Sequence, residues 1–242
     1  MTDIARIELD GVSFRLDVRA GAERGTSRDA DFVLVKTPGF LEKYSDIAQR
    51  RRIRSIVEIG MFEGGSVVYF DKLFRPEALL GVDIRRDSIP ALDRYCTDNP
   101  HVRTLYATSQ DDPALPGRIT EHVGDGIDLI VDDASHRYAP TRAAFMNLFP
   151  LLAPGGLYII EDWQWAHQPA HQSPDHPWFD SPALTTLIFE LVLATSNSRA
   201  IRSVTVHPQM FIIERGDASP ERELGLLRDG NWPLRGRAIP EL

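Results

Sequence analysis

Two acidic pairs close two apolar runs: Asp132-Asp133 follows IDLIV, and Glu161-Asp162 follows LYII. His136 comes three residues after Asp133. A single Asp at the end of a strand is ordinarily a helix cap or a turn residue. Two acidic pairs at neighbouring strand ends would crowd like charges, which is costly unless protons or a cation compensate. Oxygen-only ligands favour a hard divalent ion such as Mg²⁺, which keeps waters for a substrate to displace. Histidine titrates near neutrality, so His136 is the natural base for removing a hydroxyl proton there.

A second constellation lies upstream in VEIGMFEGGSVVYF, where Gly60, Gly64 and Gly65 follow an apolar run and Ser66 opens the next helical stretch. A glycine turn there lets backbone approach a ligand and points amide donors from the helix N-terminus. The spacing departs from the G-x-G-x-x-G of a dinucleotide site. Glu58, two residues before the turn, would repel a pyrophosphate but accept bonds from a cationic ligand, directly or through water. Asp83 ends the next run in GVDIRRDS, where an acid can accept from a ribose diol or cap the following helix. Ser109 and Gln110, in YATSQDDP, could bond an adenine edge, and capping explains Ser109 and the two aspartates equally well.

The elements that must position these residues are legible as alternating runs. Near-continuous apolar segments at 53–60, 78–84, 102–107, 127–132 and 157–162 suit strands covered on both faces. Helical stretches at 64–75, 87–97, 113–123 and 140–152 lie between them, which indicates an α/β doubly wound parallel sheet. A helix over 181–198 and two strands, 201–207 and 210–215, follow; Pro208-Gln209 alone separates the strands, so they pair as an antiparallel hairpin. At the start, Asp10-Gly11 in IARIELDGVSFRLDV predicts a β-hairpin. Residues 20–31 read as a loop or mobile lid and 39–52 as a helix ending in Arg50-Arg51-Arg52, a solvated or subunit-facing charge run.

Taken together, these strand ends resemble the class I S-adenosylmethionine-dependent methyltransferases over roughly residues 50 to 215. The matching features are Glu58-Ile59-Gly60 with Gly64-Gly65, Asp83, LLAPGGLYIIED and the terminal hairpin. The resemblance implies a mostly parallel seven-stranded Rossmann-like sheet and S-adenosylmethionine held by Glu58, Gly60, Gly64, Ser66, Asp83, Ser109, Gln110 and Asp132. VDDASHRYAPT with GGLYIIEDW narrows it to the metal-dependent sugar O-methyltransferases of macrolide biosynthesis and the related cephalosporin-hydroxylase-like proteins. That likeness implies Asp133, Glu161 and Asp162 as Mg²⁺ ligands and His136 as general base. Asp132 would face the cofactor amine or stabilise the turn. The acceptor implied is a sugar hydroxyl of a glycoside, oligosaccharide or polysaccharide precursor. The alternatives are a catechol-type methyltransferase, an Fe(II) hydroxylase-like enzyme and a non-catalytic cofactor-binding scaffold.

Other segments bear on the acceptor and on assembly. EDWQWAHQPAHQSPDHPWF holds three of the four tryptophans and three of the seven histidines, so Trp163, Trp165 and Trp178 could stack on sugar faces while His167, His171 and His176 bond hydroxyls. Lys36 and Tyr44 are expected to close over the cofactor's carboxylate end. The divisions expected are 1–38, a hairpin and lid or oligomerisation segment; 39–215, the methyltransferase domain; and 216–242, a C-terminal arm. At 242 residues, 43% hydrophobic, the chain fits one large soluble domain. A net charge of −8 argues against a general nucleic-acid binder. Cys96 is the sole cysteine, excluding an intrachain disulfide or a cysteine-based zinc cluster. No leader-like or membrane-spanning run is seen, so the expectation is a cytoplasmic homo-oligomer without membrane or nucleic-acid partners.

Overall fold

The computed structural model describes residues 5–19 and 24–230, with positions 232, 234–237 and 239 beyond them. The N-terminal elements are β1 (Arg6–Leu9), β2 (Val12–Leu16), β3 (Asp31–Leu34) and α1 (Pro38–Arg50). The alternating core runs β4 (Ser55–Ile59), α2 (Gly65–Phe74), β5 (Ala78–Val82), α3 (Pro90–Asp98), β6 (Val102–Leu105), α4 (Leu115–Val123), β7 (Ile127–Asp132), α5 (Tyr138–Leu148) and β8 (Leu152–Glu161). It finishes with α6 (Leu184–Thr195), β9 (Ile201–Val206) and β10 (Met210–Arg215), then the short α7 (Pro220–Glu223) and α8 (Gly225–Asp229).

The main sheet has seven strands in the order β6-β5-β4-β7-β8-β10-β9. β4 through β8 pair in parallel, and β10 runs antiparallel to both β8 and β9. This is the class I methyltransferase fold expected from the sequence. Strand order reverses between β4 and β7, and open α/β sheets take their ligands at that reversal, beyond the carboxyl ends of the strands. β8 starts five residues before the expected run, because Leu152 already pairs with Ile127 and a register shift absorbs the glycines that follow.

Asp10 and Gly11 both have positive φ, +47° and +78°, as a type I′ turn requires, and they close the expected β1–β2 hairpin. The sequence reading missed β3. Its four residues follow a polar stretch and lie parallel to β2, with Phe14 opposite Phe32. The segment read as a loop therefore ends at residue 30, and its positions 20–23 lie outside the described residues. No helix among the described residues is long and apolar enough to cross a membrane.

Alternation sorts the strand residues to two faces. Val57, Ile59, Ile130, Tyr158 and Ile160 pack with Phe145 and Leu187 on one side. Ile56, Leu129, Val131 and Ile159 pack on the other, with Tyr44, Phe70 and the N-terminal Phe14 and Phe32. Glu58, Asp133 and Glu161 share the parity of the second set, so they belong to the face covered by the N-terminal layer. Asp132 belongs to the first.

Two glycines make this layering sterically possible. A Cβ on Gly65 would lie 1.9 Å from the Val33 carbonyl oxygen, so β3 packs directly on the start of α2. A Cβ on Gly60 would lie 2.2 Å from the Asp133 carbonyl oxygen, at a φ of +93°. Gly65→Ala should therefore cost about 1–3 kcal/mol by forcing the layers apart. Gly117→Ala, in α4 with open space around it, should gain about 0.5–1 kcal/mol. Urea denaturation of both variants checks this, and similar effects at the two positions would contradict it.

Candidate active site

A cleft of about 770 Å³ opens at the carboxyl ends of β4, β5, β7 and β8. Its wall includes Gly60 and Ser66 of the glycine turn, Asp83 after β5, Ser109 and Gln110 after β6, Asp133 and His136 after β7, and Asp162 after β8. The volume falls in the usual range for a small-molecule or cofactor site. Glu58, Gly64, Asp132 and Glu161 do not line it; they sit behind its wall.

Asp83 ties the loops after β4 and β5 together. Its Oδ2 accepts from the backbone amides of Met61 (2.8 Å) and Phe62 (3.2 Å), and its Oδ1 from that of Arg85 (2.8 Å). It is not the cap of α3, whose first turn begins after Ile89. A carboxylate has about four acceptor sites, so one stays available toward the cleft. Ser109 donates to Asp111 at 2.5 Å, the turn role that competed with adenine contact in the sequence. Gly64 holds the left-handed start of α2, against the Leu92 side chain.

Asp132 and Asp133 diverge because they are consecutive strand residues. Asp132 accepts from the Tyr158 hydroxyl at 3.1 Å and lies near Gln110 Nε2 at 3.4 Å. Burial pushes its pKa up to about 7, against the pull of the Tyr158 bond. Gln110 accepts in turn from the Ser135 backbone amide at 3.1 Å, so Asp132 braces the loop that carries His136. Tyr158 was missed from sequence; its parity in LYIIED, the same face as Asp132, was the available signal.

Asp133 turns to the other face, where the neighbouring Glu161 also points. Lys36 Nζ donates to Asp133 Oδ2 at 2.6 Å and to Glu161 Oε2 at 2.5 Å. The Tyr44 hydroxyl donates to Glu161 Oε1. Lys36 and Tyr44 were expected at the cofactor's carboxylate end; Lys36 does line the cleft, but both side chains engage the acids. Burial would lower the Lys36 pKa, and attraction to Asp133, Glu161 and Glu58 more than reverses that. Burial drives Glu161 well above the carboxylate range despite Lys36. Burial also pushes Glu58 up to about 8. Ser66 favours its charged form, yet neither Glu58 oxygen has a partner at hydrogen-bond geometry.

Asp133, His136 and Asp162 bring one ligand atom each within 4.8 Å of one another. His136 and Asp162 both have φ of +53°, a left-handed backbone that His and Asp tolerate better than most residues and that re-aims side chains at functional sites. His136 Nε2 lies 3.8 Å from Asp133 Oδ1, and its ring packs on Trp165 at 4.2 Å between centroids. Burial first, then the Asp133 charge, raises the Asp162 pKa. Two carboxylates beside an imidazole, open to the cleft, suit a hard divalent ion that completes its shell with water. An unpartnered buried acid beneath the glycine turn suits a ligand that carries a positive charge.

In the loop after β8, Trp165 lines the cleft and stacks at 15° on Trp178, while Trp163 donates to the His207 carbonyl at 2.9 Å. His167 bonds Thr185, and His171 packs on His176 at 4.6 Å between ring centroids. Among the three tryptophans, only Trp165 reaches the cleft wall.

Comparison with known proteins agrees with this geometry. Residues 57–163 match the family model of a methyltransferase domain. The chain is 30% identical, over 74% of its length, to the 8-demethyl-8-alpha-L-rhamnosyl tetracenomycin-C 2'-O-methyltransferase of Streptomyces olivaceus. It is 31% identical, over 55% of its length, to the mycinamicin VI 2''-O-methyltransferase of Micromonospora griseorubida. It spans only 50% of the first relative and 32% of the second. The MycE methyltransferase of the mycinamycin pathway, solved with Mg, SAH and mycinamycin VI, superposes on 74% of this chain and 48% of its own, with a TM-score of 0.56 and 26% identity. The O-methyltransferase TomG from Streptomyces achromogenes shares the fold at 16% identity, with a TM-score of 0.55 over 76% of this chain and 82% of its own. Residues 57–163 therefore match a methyltransferase domain, the chain has the class I methyltransferase fold, and its sequence is similar to the tetracenomycin and mycinamicin O-methyltransferases.

Proposed function

We propose that this chain is an S-adenosylmethionine- and Mg²⁺-dependent O-methyltransferase that methylates a sugar hydroxyl of a glycoside, oligosaccharide or polysaccharide precursor. The observation that carries this reading is the convergence of Asp133, His136 and Asp162 at the cleft that begins at the glycine turn. The rhamnosyl and mycinamicin acceptors in the relatives' names, and the Mg and SAH bound by MycE, support it.

Asp133 and Asp162 hold the metal, with Glu161 behind them as the third acid. Glu58, behind the wall, draws the cofactor's amino group through water, Gly60, Gly64 and Ser66 form the turn beside it, and Asp83 takes the ribose. Ser109 and Gln110 bound the adenine side, with Asp132 bracing Gln110. When bound, S-adenosylmethionine would supply the methyl group, with S-adenosylhomocysteine as the leaving group, and Mg²⁺ would acidify the acceptor hydroxyl. His136 Nε2 takes the hydroxyl proton as the oxygen attacks. Trp165 fixes the imidazole plane and offers the acceptor an apolar face. Holding oxygen and methyl in line supplies much of the remaining acceleration.

A methyl-transfer screen against mono- and oligosaccharides and glycosides, with Mg²⁺ and with EDTA, tests the reading by mass spectrometry. His136→Ala should keep S-adenosylhomocysteine affinity and lose turnover by about 10²–10⁴-fold; near-normal turnover would remove His136 from the base role. Asp133→Ala should abolish stimulation by Mg²⁺, and an EDTA-insensitive wild type would refute the metal assignment.

Glu58 yields a prediction in pH. With its pKa raised from 4.5 to about 8, the folded protein keeps a proton that the unfolded chain loses across that window. The group's contribution is fully present below the window and is lost as pH rises through it. Glu58→Gln should therefore raise the melting temperature of the ligand-free protein at pH 8 and change it little at pH 4. It should also weaken S-adenosylhomocysteine binding about tenfold, a loss of about 1.4 kcal/mol by calorimetry. Unchanged affinity would take the cofactor's amino group away from Glu58.

A further inference from the structure

Lys36 is only 1% exposed, yet it comes from the N-terminal layer and enters the acid cluster from below. Its ammonium lies between Asp133 and Glu161, bonded to one oxygen of each. Tyr44 occupies the other Glu161 oxygen. The Phe40 ring, 5.5 Å from Nζ, flanks the ammonium. Thus both oxygens of Glu161 and one of Asp133 are already in use. A divalent ion binds carboxylate oxygens at about 2.0–2.1 Å and repels a neighbouring ammonium. An ion that takes Glu161 together with Asp133 therefore competes with Lys36 for the same oxygens.

We propose that Lys36 is a tethered counter-cation that holds Asp133 and Glu161 together without metal and is displaced from them when a divalent ion binds. Lys36 is then a positioning residue that sets how tightly the site takes its ion. With all three acids ionised, Asp133, Glu161, Asp162 and the Lys36 ammonium together carry a net formal charge of about −2, matched by one divalent ion. Without it the charge is about −3, and Glu161 is free to turn toward the ion. This inference rests on the metal reading given above.

Mn²⁺ titration of the whole chain at pH 8, read by electron paramagnetic resonance of the free ion, tests it without any turnover assay. Lys36→Met should bind Mn²⁺ about tenfold more tightly than wild type. Tyr44→Phe, which releases one Glu161 oxygen and leaves the ammonium in place, should change affinity by less than about threefold. Equal or weaker binding by a folded Lys36→Met overturns the role of Lys36 while leaving the metal reading intact. Absence of Mn²⁺ binding in wild type and variants overturns both. If Lys36→Met lacks native near-UV circular dichroism, the wild type decides. The chain has three lysines, so the ¹⁵N signal of the carboxylate-bound Lys36 ammonium is assignable by substituting the other two. Displacement predicts that saturating Mg²⁺ shifts or broadens that signal, and an unmoved signal overturns the inference.

Discussion

One buried ammonium makes the acidic end of this sheet tenable. Lys36 bonds Asp133 and Glu161 and interacts electrostatically with Glu58, acids placed by three different strands, Asp133 just past the end of its own. Carboxylates crowded away from water are costly unless a cation or protons compensate them. Lys36 supplies the cation, and burial still raises the pKa values of Glu58 and Glu161 against its attraction. The N-terminal layer is therefore part of the site's construction. The link after β3 carries Lys36 inward, α1 supplies Phe40 and Tyr44, and Gly65 lets β3 lie against α2 closely enough for the lysine to reach.

The topology then decides what each acid faces. The strand-order reversal between β4 and β7 puts the glycine turn beside the Asp132-Asp133 corner, and β8 brings Glu161 and Asp162 next to it. The two-residue period of strands sends the first and second acids of each pair in different directions. Asp132 goes to Tyr158 and the Gln110 brace. Asp133 and Glu161 go to Lys36. Asp162, just past the strand, uses a left-handed backbone to swing toward Asp133 and His136 instead.

Much of this was legible in the chain. Strands covered on both faces must be apolar throughout, so β4 to β8 stood out, and the terminal hairpin followed from its short connection. The Asp83 and Gly60 turn positions were also readable, as was a gathering of Asp133, Glu161 and Asp162 with His136 at neighbouring strand ends, from which the structure sets Glu161 apart. The four-residue β3 was not: its stability comes from pairing with β2 and packing on Gly65. Nor were the partners of Glu161, because Lys36 is 125 residues away in sequence and meets it only across layers. The glycines were read as room for a ligand, whereas Gly60 and Gly65 also make room for the protein's own backbone. The separation of Asp132 from Asp133 was available from strand alternation, since consecutive residues cannot share a face.

The most direct test is anomalous diffraction at the manganese edge from crystals grown with Mn²⁺ and S-adenosylhomocysteine. A metal site beside a cofactor cleft predicts one strong peak against the Asp133 and Asp162 carboxylates, with His136 alongside. It also predicts nucleoside density running from Asp83 toward Ser109. A cofactor seated in the cleft with no manganese at Asp133 and Asp162 would contradict it.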